Sequence, residues 1–203
     1  MTNSIARLGL ALLLAGAAAI SSARTDLPSG SATPPHWTTS WIAPAQPTWG
    51  GDFVLPLGMP EHLHDVTLRQ HLRVSLGGER LRLVVSNEYG RAPLKVARTH
   101  VGLEASGGGV YATFQGAREV VVGAGAKAVS DPVALPVASG ARLKVDLYLR
   151  ERTQPAGFHW DAREQSLLLP GNAAGRPASA GAGKLSTRAF LAAVLIESAR
   201  EPV

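Results

Sequence analysis

Cysteine is absent from this chain of 203 residues, which excludes disulfides, thiolate metal sites and cysteine nucleophiles. Aromatic residues are scarce at 5%, and the 22 Gly and 14 Pro favour many short segments joined by turns over a few long helices. The excess of positive charge is also small. The net charge is +5 and the basic residues are spread along the chain, so the charge does not by itself indicate nucleic-acid binding. Apolar residues still make up 45% of the chain, which is enough to form a hydrophobic core.

No apolar run is long enough for a membrane-spanning helix. The run from Leu8 to Ile20 has 13 residues, follows the positively charged start Met1–Arg7 and precedes the small residues Ser21-Ser22-Ala23. This pattern predicts a helical signal peptide over residues 1–23, cleaved near Ala23, and a Ser/Thr/Pro-rich linker over residues 24–35. We therefore expect a secreted or periplasmic protein that has no membrane contact after cleavage.

Period-2 alternation of apolar and polar residues dominates the middle of the chain. It is clearest in Val66–Leu76, Arg80–Val85 and Arg142–Leu149, and it predicts half-buried strands. The Gly77-Gly78 pair predicts a hairpin between the first two of these strands. Strands at short spacing with turn signals between them predict an all-β, antiparallel, jelly-roll-like β-sandwich over residues 36–199. The low-complexity segment Asn172–Lys184 is predicted to be a mobile loop.

Several catalytic motifs are missing from the sequence. It contains no G-x-S-x-G elbow, Gly-Asp-Ser triplet, H-E-x-x-H, P-loop or G-x-G-x-x-G, so we assign no catalytic residue and no cofactor. The His62-x-His64 spacing is a weak metal candidate. The alternative interpretation is a polar loop that leads into the first long strand.

Aromatic residues and one histidine are the candidates for ligand or domain contact. Trp49 lies in a Pro- and Gly-rich loop and His159-Trp160 follows Gly157-Phe158, so these three side chains could hold a sugar or a neighbouring domain. The alternative is that they pack at the rim of the sandwich. Trp37 and Trp41 would share one face of an extended strand, where they could pack at its edge or form a sugar-stacking platform. The arginines at positions 69, 73, 80, 82, 91, 98, 118 and 142 are expected to cover the solvent faces of strands.

A set of short motifs resembles secreted SGNH (GDSL-type) hydrolases that carry an N-terminal β-sandwich. The similarity spans about residues 36–197. The motifs are Trp37-Thr38-Thr39-Ser40-Trp41, Leu68–Gly78, Ser86-Asn87-Glu88-Tyr89-Gly90 with Pro93-Leu94, Thr113-Phe114-Gln115-Gly116, Ser130-Asp131-Pro132-Val133, and more loosely His159, Gln165-Ser166 and Pro170-Gly171.

The resemblance implies a non-catalytic accessory module. In that family a catalytic domain with the Gly-Asp-Ser nucleophile block follows the sandwich, and no such block stands in this chain. We therefore expect a module that packs against or assists an ester hydrolase domain, with that domain as its partner. The alternative is a stand-alone carbohydrate-binding module. A structural or adhesive sandwich, or ester hydrolysis by this chain alone, are further possibilities.

Overall fold

The computed structural model describes residues 36–49, 59–179 and 181–198, and these residues form strands, turns and loops without a helix. The predicted signal peptide and the predicted linker both lie outside the described residues. The described residues contain no helix that is long and apolar enough to cross a membrane. The strands are β1 His36–Ile42, β2 Gln46–Pro47, β3 Val66–Arg73, β4 Gly78–Ser86, β5 Leu94–Val96, β6 Arg98–Leu103, β7 Val110–Ala112, β8 Val120–Val122, β9 Lys127–Val129, β10 Val133–Val137, β11 Arg142–Leu149, β12 Gly157–Phe158, β13 Ser166–Pro170, β14 Gly183–Leu185 and β15 Leu191–Ser198.

Two larger antiparallel sheets organise these strands. The first has the order β1-β15-β4, with β9 and β10 both pairing with β4 along its other edge. The second has the order β14-β13-β3-β11-β6-β7. Two further two-stranded sheets pair β12 with β2 and β5 with β8. The prediction of an all-β chain with antiparallel sheets is thus confirmed for the described residues.

Apolar residues of the alternating segments form the core between the two larger sheets. Leu81, Leu83 and Val85 of the first sheet and Leu143 and Leu147 of the second are all 0% exposed. They belong to one hydrophobic cluster that includes residues of both sheets. Because each sheet contributes one apolar face to this shared core, the arrangement is consistent with a β-sandwich.

The predicted hairpin between β3 and β4 is wrong. β3 pairs with β11 and β13 in the second sheet, whereas β4 pairs with β15, β9 and β10 in the first. The glycine pair lies where the chain passes from one sheet to the other. A Cβ at Gly77 would lie 2.6 Å from the carbonyl oxygen of Val137, and one at Gly78 would lie 2.6 Å from Cγ2 of Ile196. These glycines therefore permit close backbone approach and do not close a hairpin.

The two tryptophans of β1 do not share a face. The register with β15 shifts between Thr39 and Trp41, so Trp37 pairs with Glu197 but Trp41 pairs with Val194. Glu197 and Val194 are three residues apart in β15, so their side chains lie on opposite faces of the sheet. Because the register shift inserts one extra residue in β1, Trp41 faces the opposite side from Trp37. Trp37 stacks under Arg82, whereas Trp41 packs against the hydrophobic core.

Arg69 is buried, contrary to the expectation that it covers a solvent face. It is 3% exposed, and it forms a two-pronged ion pair with Asp146, which is 0% exposed. The Nε–Oδ1 distance is 2.6 Å and the Nη2–Oδ2 distance is 2.8 Å. β3 and β11 place these side chains opposite each other because Arg69 and Asp146 are register partners. The polar side of this sheet thus carries a paired charge that is shielded from water.

Residues 171–176, at the start of the segment expected to be mobile, cover this ion pair. Arg69 Nη2 donates to the carbonyl of Arg176 at 2.7 Å, and the Gly175 amide donates to Asp146 Oδ2 at 2.8 Å. Tyr111 Oη donates to the carbonyl of Ala174 at 2.9 Å. We call residues 171–176 the strap. Composition alone predicts its mobility, but these hydrogen bonds fix it to the second sheet.

His100 lies beside the ion pair, and we expect it to make folding stability sensitive to acid. It is 4% exposed, and its Nδ1 lies 3.9 Å from Asp146 Oδ2 without a hydrogen-bond partner among the described residues. Burial lowers the pKa of His100 below its ordinary value of 6.5; the Asp146 carboxylate opposes this shift, while the positive charges of Lys144 and Arg69 add to it. The unfolded chain therefore binds a proton that the folded chain excludes just below pH 6.5.

We expect the free energy of unfolding to fall as pH decreases from 6.5 toward the folded-state pKa, by at most about 1.4 kcal/mol per pH unit from this residue. Urea unfolding at about pH 7.5 and about pH 5 measures the effect. His100→Gln should reduce the pH dependence, whatever its effect on absolute stability. An unchanged pH dependence in this variant would contradict the assignment to His100.

Candidate functional site

A short two-stranded sheet brings two distant loops together. β2 and β12 pair Gln46 with Phe158 and Pro47 with Gly157, and the Thr48 amide donates to the carbonyl of Ala156 at 3.0 Å. The chain just after β1 therefore lies beside the chain before β13. The predicted contact residues Trp49, His159 and Trp160 meet at this junction.

Trp49, Phe158 and Trp160 form an aromatic cluster. The ring centroids of Trp49 and Phe158 are 5.3 Å apart with planes at 84°, an edge-to-face contact. Those of Trp49 and Trp160 are 5.5 Å apart with planes at 56°. Phe158 is 1% exposed and Trp160 is 40% exposed, so the cluster extends from the interior to the surface. Aromatic pairs with this geometry add stabilisation to that of apolar burial, and they restrict the orientation of the rings.

His159 ties this junction to the neighbouring loops. Its backbone exchanges two hydrogen bonds with Arg188, at 2.9 and 3.0 Å. Its Nδ1 lies 3.0 Å from the carbonyl oxygen of Pro44. Because a carbonyl only accepts, Nδ1 carries the proton and donates it. The ring therefore holds residues 157–160 against the loop after β1.

The turn Ser86–Gly90 forms the other side of the junction. Nδ2 of Asn87 donates to the carbonyls of Ala92, Val122 and Gly123 at 2.9, 3.0 and 3.0 Å. A Cβ at Gly90 would lie 1.8 Å from Oδ1 of Asn87, so only glycine fits there. A Cβ at Gly157 would lie 3.0 Å from Cδ2 of Tyr89. The turn thus positions the Tyr89 ring, 38% exposed, next to the backbone of β12.

Arg188 is a buried cation at the same place. It is 5% exposed, its Nη2 donates to Glu164 Oε2 at 3.0 Å, and its guanidinium lies 5.2 Å from the ring centroid of Trp41. Burial lowers the pKa of Arg188 from its ordinary value, and the Glu164 carboxylate opposes that shift. Sequence reasoning missed Arg188, which no motif marks. Asn87 lies in the turn motif Ser86–Gly90, but the motif alone gives it no role as a site residue.

A small pocket lies between these elements. Asn87, Tyr89, His159, Arg188 and Phe190 are among its lining residues, and its volume is about 20 Å³. That is room for about one water molecule. The pocket is therefore too small for an organic ligand, and it marks a junction between segments.

Tyr89 also lines a larger groove. It has a volume of about 570 Å³, and Trp49, Tyr89, Arg91, Arg152 and Gln154 are among the residues that line it. None of the described residues that line it is acidic. This volume is within the range of about 300–1,000 Å³ that is typical of small-molecule sites. We call this feature the Tyr89 groove.

The weak metal candidates His62 and His64 flank Leu63, which bridges to Thr153. His62 Nδ1 lies 3.9 Å from Glu61 Oε1, and the His64 side chain is exposed. Within residues 36–49, 59–179 and 181–198, no group of three or more His, Asp or Glu side chains could hold a metal ion.

Three buried serine hydroxyls in the described part of the chain form hydrogen bonds with backbone groups. Ser40 and Ser166 donate to the carbonyls of Leu76 and Thr187, both at 3.0 Å, and Ser130 accepts from the Leu83 amide at 2.9 Å. These contacts hold loops against strands, and none of these three hydroxyls is hydrogen-bonded to a histidine.

No known protein-family model matches this sequence, and no curated protein matches it either.

Proposed function

We propose that this chain is the non-catalytic, jelly-roll-like β-sandwich module of an exported SGNH (GDSL-type) ester hydrolase. One observation supports the proposal most. Residues from three separate motifs of the resemblance surround one junction: Asn87 and Tyr89 from the turn, His159 from the later stretch, and Trp41 through its contact with Arg188.

The exposed aromatic rings at this junction suit a domain contact. Tyr89 and Trp160 are 38% and 40% exposed although both are large and apolar. Aromatic residues dominate the energetics of protein interfaces, and exposed apolar groups beside a rigid junction suit docking. The hydrolase domain would contact this junction, and the module would shape access to the hydrolase's site.

The test uses the chain after residue 23 and a separately produced catalytic domain of a sandwich-bearing SGNH ester hydrolase. We expect calorimetry to detect a one-to-one complex. Tyr89→Ser/Trp160→Ser should weaken it by about 30-fold, the loss that corresponds to about 2 kcal/mol at an interface hot spot. Leu76→Ser/Val121→Ser is the matched control, since these residues are 43% and 55% exposed and lie outside the junction.

Two kinds of result would contradict this proposal. The first concerns the complex: either none forms, or both double variants weaken it equally. The other is hydrolysis of p-nitrophenyl acetate by the purified chain alone, because the module is proposed to be non-catalytic.

A carbohydrate-binding module is the second candidate. The contact between Trp49 and Trp160, with Trp160 partly exposed, supports it, because aromatic rings beside a groove suit sugar rings. Retention of the purified chain on insoluble polysaccharides, lost in Trp160→Ala, would distinguish this candidate from a module that contacts only a hydrolase domain.

A further inference from the structure

We propose that the Tyr89 groove binds an acidic polysaccharide, a polymer of sugar carboxylates, through its aromatic and arginine side chains. This inference deepens the second candidate function by naming the ligand class. It does not depend on a hydrolase partner, so the two proposals can fail separately.

The charges of the groove select an anion. Arg91 and Arg152 are exposed and line it together, and neither forms an ion pair with a described residue. By contrast, Arg80, Arg142 and Arg150 each pair with a glutamate. With two guanidinium groups and no acidic side chain among the described residues that line it, the described lining of the groove has a net positive charge. Guanidinium groups match carboxylates in a two-pronged geometry.

The aromatic lining suits sugar rings. Trp49 and Tyr89 both line the groove, and each is held by a neighbouring element: Trp49 by the edge of Phe158 and Tyr89 by the backbone at Gly157. Gln154 adds an exposed amide that can bond a hydroxyl. A pyranose carboxylate needs this combination of apolar surface, hydroxyl partners and cations.

The walls of the groove are formed before any ligand arrives. The Thr48 amide donates to the carbonyl of Ala156 at 3.0 Å, which joins the wall at residues 47–49 to the wall at residues 152–156. On the opposite side, the Asn87 side chain donates to the carbonyl of Ala92 at 2.9 Å and fixes the loop that carries Arg91. A preformed groove loses less conformational entropy on binding than a mobile one.

The experiment measures binding of the purified chain to oligogalacturonate by calorimetry. Neutral cello-oligosaccharides of the same length are the comparison. We expect at least tenfold tighter binding to the acidic oligomer, and weaker binding as salt is raised, because screening reduces exposed charge contacts. Arg91→Gln/Arg152→Gln should weaken acidic binding at least tenfold, and Tyr89→Ala should weaken it with little effect on unfolding.

Arg73→Gln/Arg118→Gln is the control, since both residues are exposed, lie outside the groove and give the same change of net charge. Equal losses in the two arginine double variants would overturn the proposal, because the attraction would then depend on net charge alone. It would also be overturned by equal affinity for neutral oligomers, or by binding to phosphatidylserine vesicles without binding to oligogalacturonate. None of these results would alter the hydrolase complex predicted above.

Discussion

Asp146→Ala is expected to lower the free energy of unfolding by about 3–5 kcal/mol, because removal of one partner leaves the other charge buried and unpaired. Arg69 is 3% exposed and its guanidinium bonds both carboxylate oxygens. The same carboxylate accepts from the Gly175 amide at 2.8 Å, so its loss also removes one of the hydrogen bonds that hold the strap. Urea unfolding of the chain measures the change.

Two comparisons make this prediction specific. Arg69→Met/Asp146→Leu should lose less stability than Asp146→Ala, since an apolar pair leaves no buried charge. Glu151→Ala should cost less than about 1 kcal/mol, because its partner Lys95 and Glu151 itself are 46% and 56% exposed in their side chains. A loss from Asp146→Ala as small as that from Glu151→Ala would contradict the role of the buried pair.

Phe158→Ala is the second change with a large expected effect, a loss of about 3–5 kcal/mol in the free energy of unfolding. Phe158 is 1% exposed and its ring contacts the Trp49 ring at 5.3 Å. Its truncation leaves a cavity at the buried end of the aromatic cluster and removes the edge-to-face contact with Trp49. Tryptophan fluorescence and urea unfolding report the two consequences separately.

A conservative variant tests whether the loss arises from the cavity. Phe158→Leu keeps most of the volume and should cost less than Phe158→Ala. Val121→Ala, at a side chain that is 55% exposed, should change stability by no more than about 0.5 kcal/mol. If Phe158→Ala changed the free energy of unfolding by no more than Val121→Ala does, the role of the Phe158 ring in stability would be contradicted.

Local periodicity predicted much of the fold. The strict alternation in Arg142–Leu149 predicted its strand and its apolar face, because side chains alternate between the two faces of a strand, and Leu143, Val145 and Leu147 are all 0% exposed. The prediction that this strand is half-buried is wrong, since Asp146 and Tyr148 on its other face are also buried. Alternation does not specify the pairing partner. β3 and β4 have matching patterns, yet they belong to different sheets.

Distant contacts explain the other differences. Arg69 lies on a polar face in the sequence pattern, and it is buried because the strap, about a hundred residues later, covers it. Trp41 changes face because the register of β1 shifts by one residue, which spacing cannot reveal.

The candidate site was partly predictable for the same reason. Trp49, His159 and Trp160 were singled out as aromatic or titratable residues in turn-rich loops, and the pairing of β2 with β12 brings them together. Arg188 was missed because its importance comes from burial against Trp41 and Glu164. A sequence pattern identifies candidate side chains but not the long-range pairing that assembles them.

The place of β15 inside the first sheet has a consequence for how the protein folds. β1 and β4 do not pair with each other, and each pairs with β15, whose residues Leu191–Ser198 follow all the other described strands. The pairing of His36 with Ser198 therefore joins residues that are far apart in the sequence. Such long-range strand pairings are slow to form. During synthesis, the edge of β4 that β15 will occupy therefore stays unpaired until residues 191–198 have left the ribosome.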